Sequence, residues 1–565
     1  MRVSLAWLKE LIDVKASTEE LANTLSLTSI GVKTTTPEYI ELDLTYNRGD
    51  LLSLRGVARE LAAVTGSKVL FTPANPLDYP WQGKQYPEAN IKVENAELSP
   101  VYCLAKIEGL KTASSNPEWV NKLAQSGIRT VSNLADITNL VMVEYGQPMH
   151  AFDADKLTGS INVRLATKDE NLLTLDNKKR KLDPEDLVIA DEKGPLAIAG
   201  IMGGKESEVS EPTNTILLEA AIFDPVSNRK SSKRHGLYSE ASKRFQHGLC
   251  KTNLLDAFAA AINAYQELGG KLISISLVGN LEDQPKEITL TQKHLNNLLG
   301  VSIEPEFVTS SLEKLGFKVT GTGEGWIVTP PVYRLDINLE EDVIEEVARM
   351  YGYEKIEGKA LKEEKIPEID QSFYNFLYDL KVACKEAGLT EVQTYSFYEI
   401  SVLNTFNLDT NNLIKIANPI SAETEYLRQD LWPNLVEVAS RNIRKGQRDI
   451  AIFELGKIYF INEKGLPDEK YRLSILLIDN TDNPVSELCS ILRKLYPQKA
   501  IKFEVTRSKD RDSSGQELYH PNRFAQIFAD GQAIGNVMEV HKRYTDSFGT
   551  KNRIAVLELE LNNLV

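Results

Sequence analysis

The sequence predicts a multidomain α+β protein, and three observations carry that prediction. Its 565 residues are too many for one core, and at about 150 residues per domain they make three or four units. Helical stripes and short strand-like runs succeed one another along the whole length. Pro73, Pro76, Pro80 and the polar residues through Gln85 read as a linker. The expected units are an N-terminal α+β domain over 1–70, a linker over 71–90, an α/β domain over 91–276, a winged-helix-like domain over 282–358, and a last unit over 372–565 with an antiparallel sheet and flanking helices.

In the first unit Leu5, Leu8, Leu11 and Ile12 recur at helical spacing, and Ser17 with Glu20 forms a capping box for a second helix. Ile40 to Leu44 alternates as a strand. Asp50 reads as the N-cap of a helix carrying Leu54, Val57, Leu61 and Val64, with Gly66 at its end. In the second unit Val131 to Val143 has a helical stripe, and His150 and Asp153 fall in the loop expected after it. Asn177 to Lys181 is a positively charged hairpin tip. A helix through Leu255, Phe258, Ile262 and Tyr265 ends at Gly269.

The most informative stretch runs from Ala197 to Gly248. It opens with Gly200, Gly203 and Gly204, which fit either a pocket floor or a plain turn. Asn214 to Phe223 then reads as a buried strand with one acid, Glu219. A carboxylate there needs a partner or a purpose, unless it lies on an edge and faces water. Arg229, Lys230, Lys233, Arg234 and His235 follow as a basic cluster. Small pocket, lone acid and basic rim together suggest a polar ligand that carries phosphates.

In the third unit two short helices end at Gly300 and Gly316, and Trp326 to Pro330 extends as a strand, a pattern that resembles a winged helix. Asp336 is expected in extended chain. On the helix from Leu339 to Tyr351 the acids Asp342, Glu345 and Glu346 are expected opposite an apolar face of Ile344, Val347, Ala348 and Tyr351. These acids are either a solvated face or a set of hard oxygen ligands suited to Mg²⁺. The last unit begins with a helix near Ser372, a strand over Val392 to Phe397, a helix from Leu435 to Arg444, and a basic patch of Arg441, Arg444, Lys445 and Arg448.

The net charge of −15 opposes non-specific adhesion to nucleic acid or an anionic membrane, so nucleic-acid contacts must use local patches. Cys103, Cys250, Cys384 and Cys489 have neither zinc-site spacing nor disulfide-scaffold density, which implies a reducing cytoplasm. No apolar run approaches ~18 residues, and the charged first residues do not make a signal peptide. A soluble protein without membrane contact is expected.

Tyr145 to Asp153, Ala199 to Gly204, Arg234 to Ser242 and Arg334 to Arg349, in this order, resemble segments of the β subunits of bacterial-type phenylalanyl-tRNA synthetases, a class II synthetase family. The resemblance covers most of the chain. It implies an (αβ)₂ heterotetramer in which α binds ATP and phenylalanine, with tRNA(Phe) as partner and no DNA. Residues 91–276 would be the editing domain, which hydrolyses tyrosine wrongly attached to tRNA(Phe). By similarity His150, Glu219 and Ser239 would be its catalytic residues, and Gly200, Gly203 and Ala241 would line the substrate pocket. Glu219 would accept a hydrogen bond from the tyrosyl hydroxyl, and backbone N–H groups of Gly200 to Gly204 would meet an oxyanion. Asp336, Asp342, Glu345 and Glu346 would be Mg²⁺ ligands in a site shared with α. Residues 372–565 would keep the class II sheet without its chemistry and bury an interface with α.

The resemblance also shows departures. Ile30 to Pro37 joins directly what an OB-fold tRNA-binding insert usually separates, and the chain ends at Val565 where a ferredoxin-like anticodon-binding domain is usual. Ser239, Ala199 and Cys250 stand where threonine, glycine and aspartate are common. Three rival readings remain: a free-standing tRNA deacylase, a scaffold subunit that does not edit, and a winged-helix DNA-binding regulator. The regulator is disfavoured because residues 282–358 are acidic where a recognition helix is basic.

Overall fold

A computed structural model describes residues 1–72, 75–360, 369–463, 465–478, 483–546 and 552–561. Pro73 of the expected linker lies outside them. The chain forms two compact units, Met1–Ala360 and Leu361–Val565.

In the first unit the N-terminal segment packs helices Leu5–Leu11, Thr18–Thr28 and Leu54–Thr65 on a three-stranded sheet of Arg2–Ser4, Tyr39–Asp43 and Gly31–Thr35. The Ser17–Glu20 capping box forms, with each side chain bonded to the other's backbone N–H. The helix expected to start at Asp50 is capped instead by Ser53, whose hydroxyl accepts from Gly56 N–H. Asp50 is taken by Arg48, which grips both its carboxylate oxygens at 2.9 and 2.8 Å. Where the family resemblance puts an OB-fold insert, Gly31–Thr35 and Tyr39–Asp43 form a hairpin. The Thr36 hydroxyl oxygen accepts from Tyr39 N–H at 3.0 Å to close its turn. The linker is not free chain, because Tyr79 donates to Asp256 and the Trp81 ring packs on Phe258.

The segment expected as an α/β domain is built from two largely antiparallel sheets. One orders Lys271–Gly279, Val101–Glu108, Ile216–Ile222 and Met149–Asp153. The other orders Met202–Gly203, Pro195–Ile198, Leu187–Ala190, Ile161–Leu165 and Ile91–Val93, and only its last pair is parallel. Helices Asn133–Tyr145 and Lys251–Glu267 cover one face of the first sheet through Ile137, Val141, Phe258, Ile262 and Tyr265. The second sheet covers the other through Tyr102, Phe152, Phe223 and Ile189. A strand buried on both faces reads as continuously apolar, and Ile216–Ile222 is such a strand.

The next segment pairs Ile288–Thr291, Gly325–Thr329 and Lys318–Gly321 in one small sheet beside helices Gln292–Leu299, Pro305–Lys314 and Glu340–Tyr351. It meets the N-terminal segment through a buried charge network. Arg48 binds Asp50 and Glu60, Arg349 binds Glu60 and Glu346, and Arg334 binds Glu346 and Asp336. Arg334, Arg349, Glu60 and Glu346 are each 5 % exposed or less. Opposite charges at hydrogen-bond distance hold the Glu346 carboxyl far below the usual carboxylate range despite its burial.

The second unit has a seven-stranded sheet ordered Thr390–Glu391, Ile450–Phe460, Asp468–Ile478, Ala555–Glu560, Gln532–Val540, Tyr519–Ala529 and Ile501–Val505. It is antiparallel except at Thr390–Glu391. Helices Ser372–Glu386 and Pro484–Leu495 pack on one face, and Ile400–Phe406 and Trp432–Arg444 on the other. The strand expected over Val392 to Phe397 breaks, because the Thr394 hydroxyl turns to Glu454 at 2.7 Å and also meets Arg428.

Removing one member of the buried network leaves the opposite charges uncompensated, which costs about 3–5 kcal/mol. Glu346→Ala is expected to lower the urea-unfolding free energy of the first unit by that amount. An unchanged unfolding midpoint would contradict the network's role.

Candidate functional site

Alternation along Ile216–Ile222 sends Ile216, Leu218, Ala220 and Ile222 to the helix-covered core and Leu217 and Ala221 toward the second sheet. Glu219 therefore stands on the apolar inter-sheet face. It is 5 % exposed. Burial alone pushes its carboxyl up to about 8, and no hydrogen bond or ion pair among the described residues reaches it.

His150 is directly opposite. The loop expected here is strand Met149–Asp153, in which His150 pairs with Glu219 across an antiparallel ladder, so the side chains stand about 5 Å apart at Cβ. Gly146, at φ +83°, ends the preceding helix. Met149 and Ala151 then turn to the helical core while Phe152 faces the second sheet. Both faces of this strand are apolar, so no alternation is visible in its sequence. Burial lowers the His150 imidazole to about 4, which keeps it neutral at physiological pH. Its Nε2 is buried without a partner among the described residues, and its ring meets Phe152 edge-on with centroids 4.5 Å apart.

Both glycine readings apply. Gly200 makes a turn at φ +66°, and a β-carbon there would lie 2.6 Å from the Asn228 amide nitrogen. On Gly203 a β-carbon would lie 2.6 Å from His150 Cε1. The two glycines thus let a backbone turn lie against the histidine and asparagine side chains. Asn228 secures that turn by donating to the Ala199 carbonyl at 3.1 Å. The Gly204 and Ile201 N–H groups donate to Leu196 and Ile198 carbonyls, so neither is available to an oxyanion.

A cavity of about 290 Å³ brings together His150, Gly200, Gly203, Glu219, Ser239 and Ala241. Its walls also include Asn139, Met142, Leu175 and Phe245, which sequence reasoning passed over. Asn139 and Met142 sit on a helix that reads simply as a packing stripe. Ser239, expected as a catalytic residue, has its hydroxyl committed: it donates to the Ile201 carbonyl at 2.7 Å and accepts from Ser242 N–H at 3.0 Å. These bonds tie it to the glycine turn and to the first turn of helix Glu240–His247.

The basic cluster divides. Arg234 and His235 both bind Asp186, as does the Ser231 hydroxyl at 2.7 Å. Arg229, Lys230 and Lys233 are exposed on helix Pro225–His235, with the Arg229 guanidinium over the Tyr46 ring. The hairpin tip is partly neutralised, with Arg180 on Asp176 and Lys181 on Asp169.

The four acids expected around Mg²⁺ do not form one ligand set. Asp336 lies in a turn rather than extended chain, and both its oxygens bind Arg334 at 2.8 Å. Glu346, expected on a solvated face, is buried between Arg334 and Arg349. Asp342 caps its helix by accepting from Asn338 and Leu339 N–H, and Glu345 is exposed. No group of three or more such side chains among the described residues has metal-binding geometry, so these residues do not fit a cation held by this chain.

Three family models match in tandem. They are a B3/4 domain over 98–270, a tRNA synthetase B5 domain over 288–353, and a phenylalanyl-tRNA synthetase β chain CLM domain over 362–561. The phenylalanine–tRNA ligase β subunit of Carboxydothermus hydrogenoformans is 35 % identical, with 93 % of this chain and 67 % of that protein aligned. The chain belongs to the phenylalanine–tRNA ligase β subunit family. The β subunit of Staphylococcus saprophyticus is 33 % identical over 94 % of this chain and 67 % of its own length. That of Moorella thermoacetica is 35 % identical over 92 % and 66 %. The chain spans about two thirds of the length of these relatives. The B3/4 match contains the whole Glu219 cavity, and the buried charge network joins the B5 match to the N-terminal segment. Among the described residues no helix is long and apolar enough to cross a membrane.

The structure explains one departure from the family pattern. Cys250 is the N-cap of helix Lys251–Glu267 and makes no side-chain cap bond. Asp283 does so instead, accepting from Lys251 and Thr252 N–H at 2.9 and 2.7 Å. Ala199 is buried in the inter-sheet core, and nothing in the structure explains why alanine stands there.

Glu219 holds its proton up to about pH 8 in the folded chain, against an ordinary value of 4.5. Between those values the folded state binds more protons than the unfolded one, so stability falls as pH rises. Glu219→Gln is expected to remove that fall and to be more stable than the parent near neutral pH by roughly 2–3 kcal/mol. Parallel stability–pH profiles in urea titrations would refute the assignment.

Proposed function

We propose that the Glu219 cavity receives the aminoacyl end of mischarged tRNA(Phe) and promotes hydrolysis of the ester when the amino acid is tyrosine. The observation that carries this is a protonated, buried carboxyl with no partner in a pocket of about 290 Å³. Tyrosine differs from phenylalanine by one hydroxyl. The Glu219 carbonyl oxygen accepts the phenolic proton, whereas a phenylalanyl ring leaves a buried polar group unsatisfied. Sites built to hydrogen-bond a substrate hydroxyl reject the analogue lacking it far better than apolar pockets do.

The remaining roles follow from the geometry. Gly200, Gly203 and Ala241 shape the wall, and Ser239 holds the glycine turn. His150 is neutral and lines the cavity next to Glu219. Ser231, Asp186 and His235 do not make a nucleophilic triad, because the aspartate accepts from both the serine and the histidine. Water is therefore the nucleophile, oriented by the pocket and the bound tRNA. Arg229, Lys230 and Lys233 meet tRNA phosphates.

At the level of the assembly, the chain is taken to be the β partner of an α subunit in an (αβ)₂ enzyme of the cytoplasm. The α subunit binds ATP and phenylalanine, and Mg²⁺ belongs with that ATP rather than with Asp336 and Glu346. The 91–276 segment is the editing domain, 282–358 the winged-helix-like unit, and 372–565 the inactive class II domain that contacts α.

The test is deacylation of tyrosyl- and phenylalanyl-tRNA(Phe) by the reconstituted αβ complex. Selective tyrosyl hydrolysis is expected, with Glu219→Ala about 100-fold slower, the loss of one hydrogen bond to a specificity group. A parent complex that charges tRNA yet leaves both esters intact would make this chain a scaffold without editing.

A further inference from the structure

A second cavity, of about 680 Å³, lies within the Leu361–Val565 unit and has no part in the reading above. Its floor is the face of the seven-stranded sheet that packs on Trp432–Arg444. Across that face Leu476, Val556, Met538 and Phe524 form an apolar row. Two residues along each strand, the equivalent row is Ser474, Glu558, Asn536 and Gln526, paired in register across four strands. Next to it Arg472 stands opposite Glu560. Side-chain alternation keeps these positions on the core side of the sheet, where polar groups are costly unless they meet a partner.

Several partners are missing. Tyr519 is 6 % exposed and lines the cavity. Its ring packs on Trp432 and Phe524, and no hydrogen bond among the described residues reaches its hydroxyl, which lies in the field of Asp430 and Glu558. Among the described residues the Arg472 Nε is also unpartnered. Charge is unbalanced too. Asp409, Asp430, Asp510, Glu558 and Glu560 line the cavity against Arg472, Lys509 and Arg511, and Arg511 is paired with Glu517. Arg472 serves Asp430, Glu558 and Glu560 together; Lys470 adds a contact to Glu560 at 3.6 Å, the Leu431 and Trp432 N–H groups donate to Glu558 at 3.1 and 3.0 Å, and burial still pushes the Glu558 carboxyl up to about 7.

We propose that this cavity binds a small molecule through a primary ammonium group, held by Asp430, Glu558 and the Tyr519 hydroxyl, with its organic body against Tyr398 and Phe524. An ammonium carries three compact donors and supplies the missing positive charge. A divalent cation is a poorer match, since a guanidinium already sits among the carboxylates and Tyr398, Leu413, Phe524 and Met538 also line the walls. Two sources share this chemistry, an α-amino acid, whose carboxylate suits Lys509 at the rim, and a polyamine.

The test is calorimetric titration of the full chain with benzylammonium, with benzyl alcohol as the neutral isostere. Saturable binding of the ammonium alone is expected, at least about tenfold weaker in Glu558→Gln, the usual loss of a charge-assisted hydrogen bond. Should Glu558→Gln fail to fold, Tyr519→Phe keeps the ring and is expected to weaken binding about fivefold. Displacement by L-alanine assigns the site to amino acids, and displacement by putrescine assigns it to polyamines. No saturable binding, equal binding of the two probes, unchanged affinity in the folded variants, or displacement by neither competitor would overturn the proposal. None of these results bears on ester hydrolysis at Glu219.

Discussion

A carboxyl group held without a partner between two apolar layers is the constraint on which the first unit's chemistry depends. Glu219 occupies a core position on a central strand, so alternation forces it inward, and among the described residues it has no counter-charge. Every feature of the cavity follows from keeping that group in place. The two glycines admit a backbone turn against His150 and Asn228, Ser239 and Asn228 tie the turn down, and the neutral imidazole opposite adds no charge that would discharge the acid. A polar atom left unsatisfied in a native core is a store of binding energy for the ligand that completes it.

The second unit uses the same device at another scale. There too a core-facing position on a central strand is polar, but the row of polar residues crosses four strands and lies beside an arginine that only partly neutralises its neighbours. Contrast the network of Arg48, Glu60, Arg334, Glu346 and Arg349. It is equally buried, yet nearly every oxygen is met by a guanidinium, and it therefore ties segments together. Buried charge by itself does not mark a site, whereas buried charge left incomplete does.

Much of this was legible in the sequence. Helix ends were readable because capping is local chemistry, as at Ser17, Glu20 and Gly66. Glu219 stood out because one acid in an apolar run has few explanations. What was not legible depended on long-range partners. His150 looked like a loop residue because its strand is apolar on both faces. Glu346 looked solvated because Arg334 and Arg349 come to it from a turn and from its own helix, and Glu60 from 286 positions earlier completes the network. Asp283, which caps the helix at Cys250, comes from 32 positions beyond the N–H of Lys251 that it accepts from. The polar row beneath the second cavity is spread over four strands, and only their register brings it together.

The most direct measurement is the infrared carbonyl stretch of isotope-labelled Glu219 near neutral pH, taken with stable amide analogues of the two aminoacyl-tRNA ends. The account predicts the band of a protonated carboxylic acid in the free chain, shifted by the tyrosyl analogue and unmoved by the phenylalanyl one. A carboxylate band in the free chain, or the same response to both analogues, would contradict it.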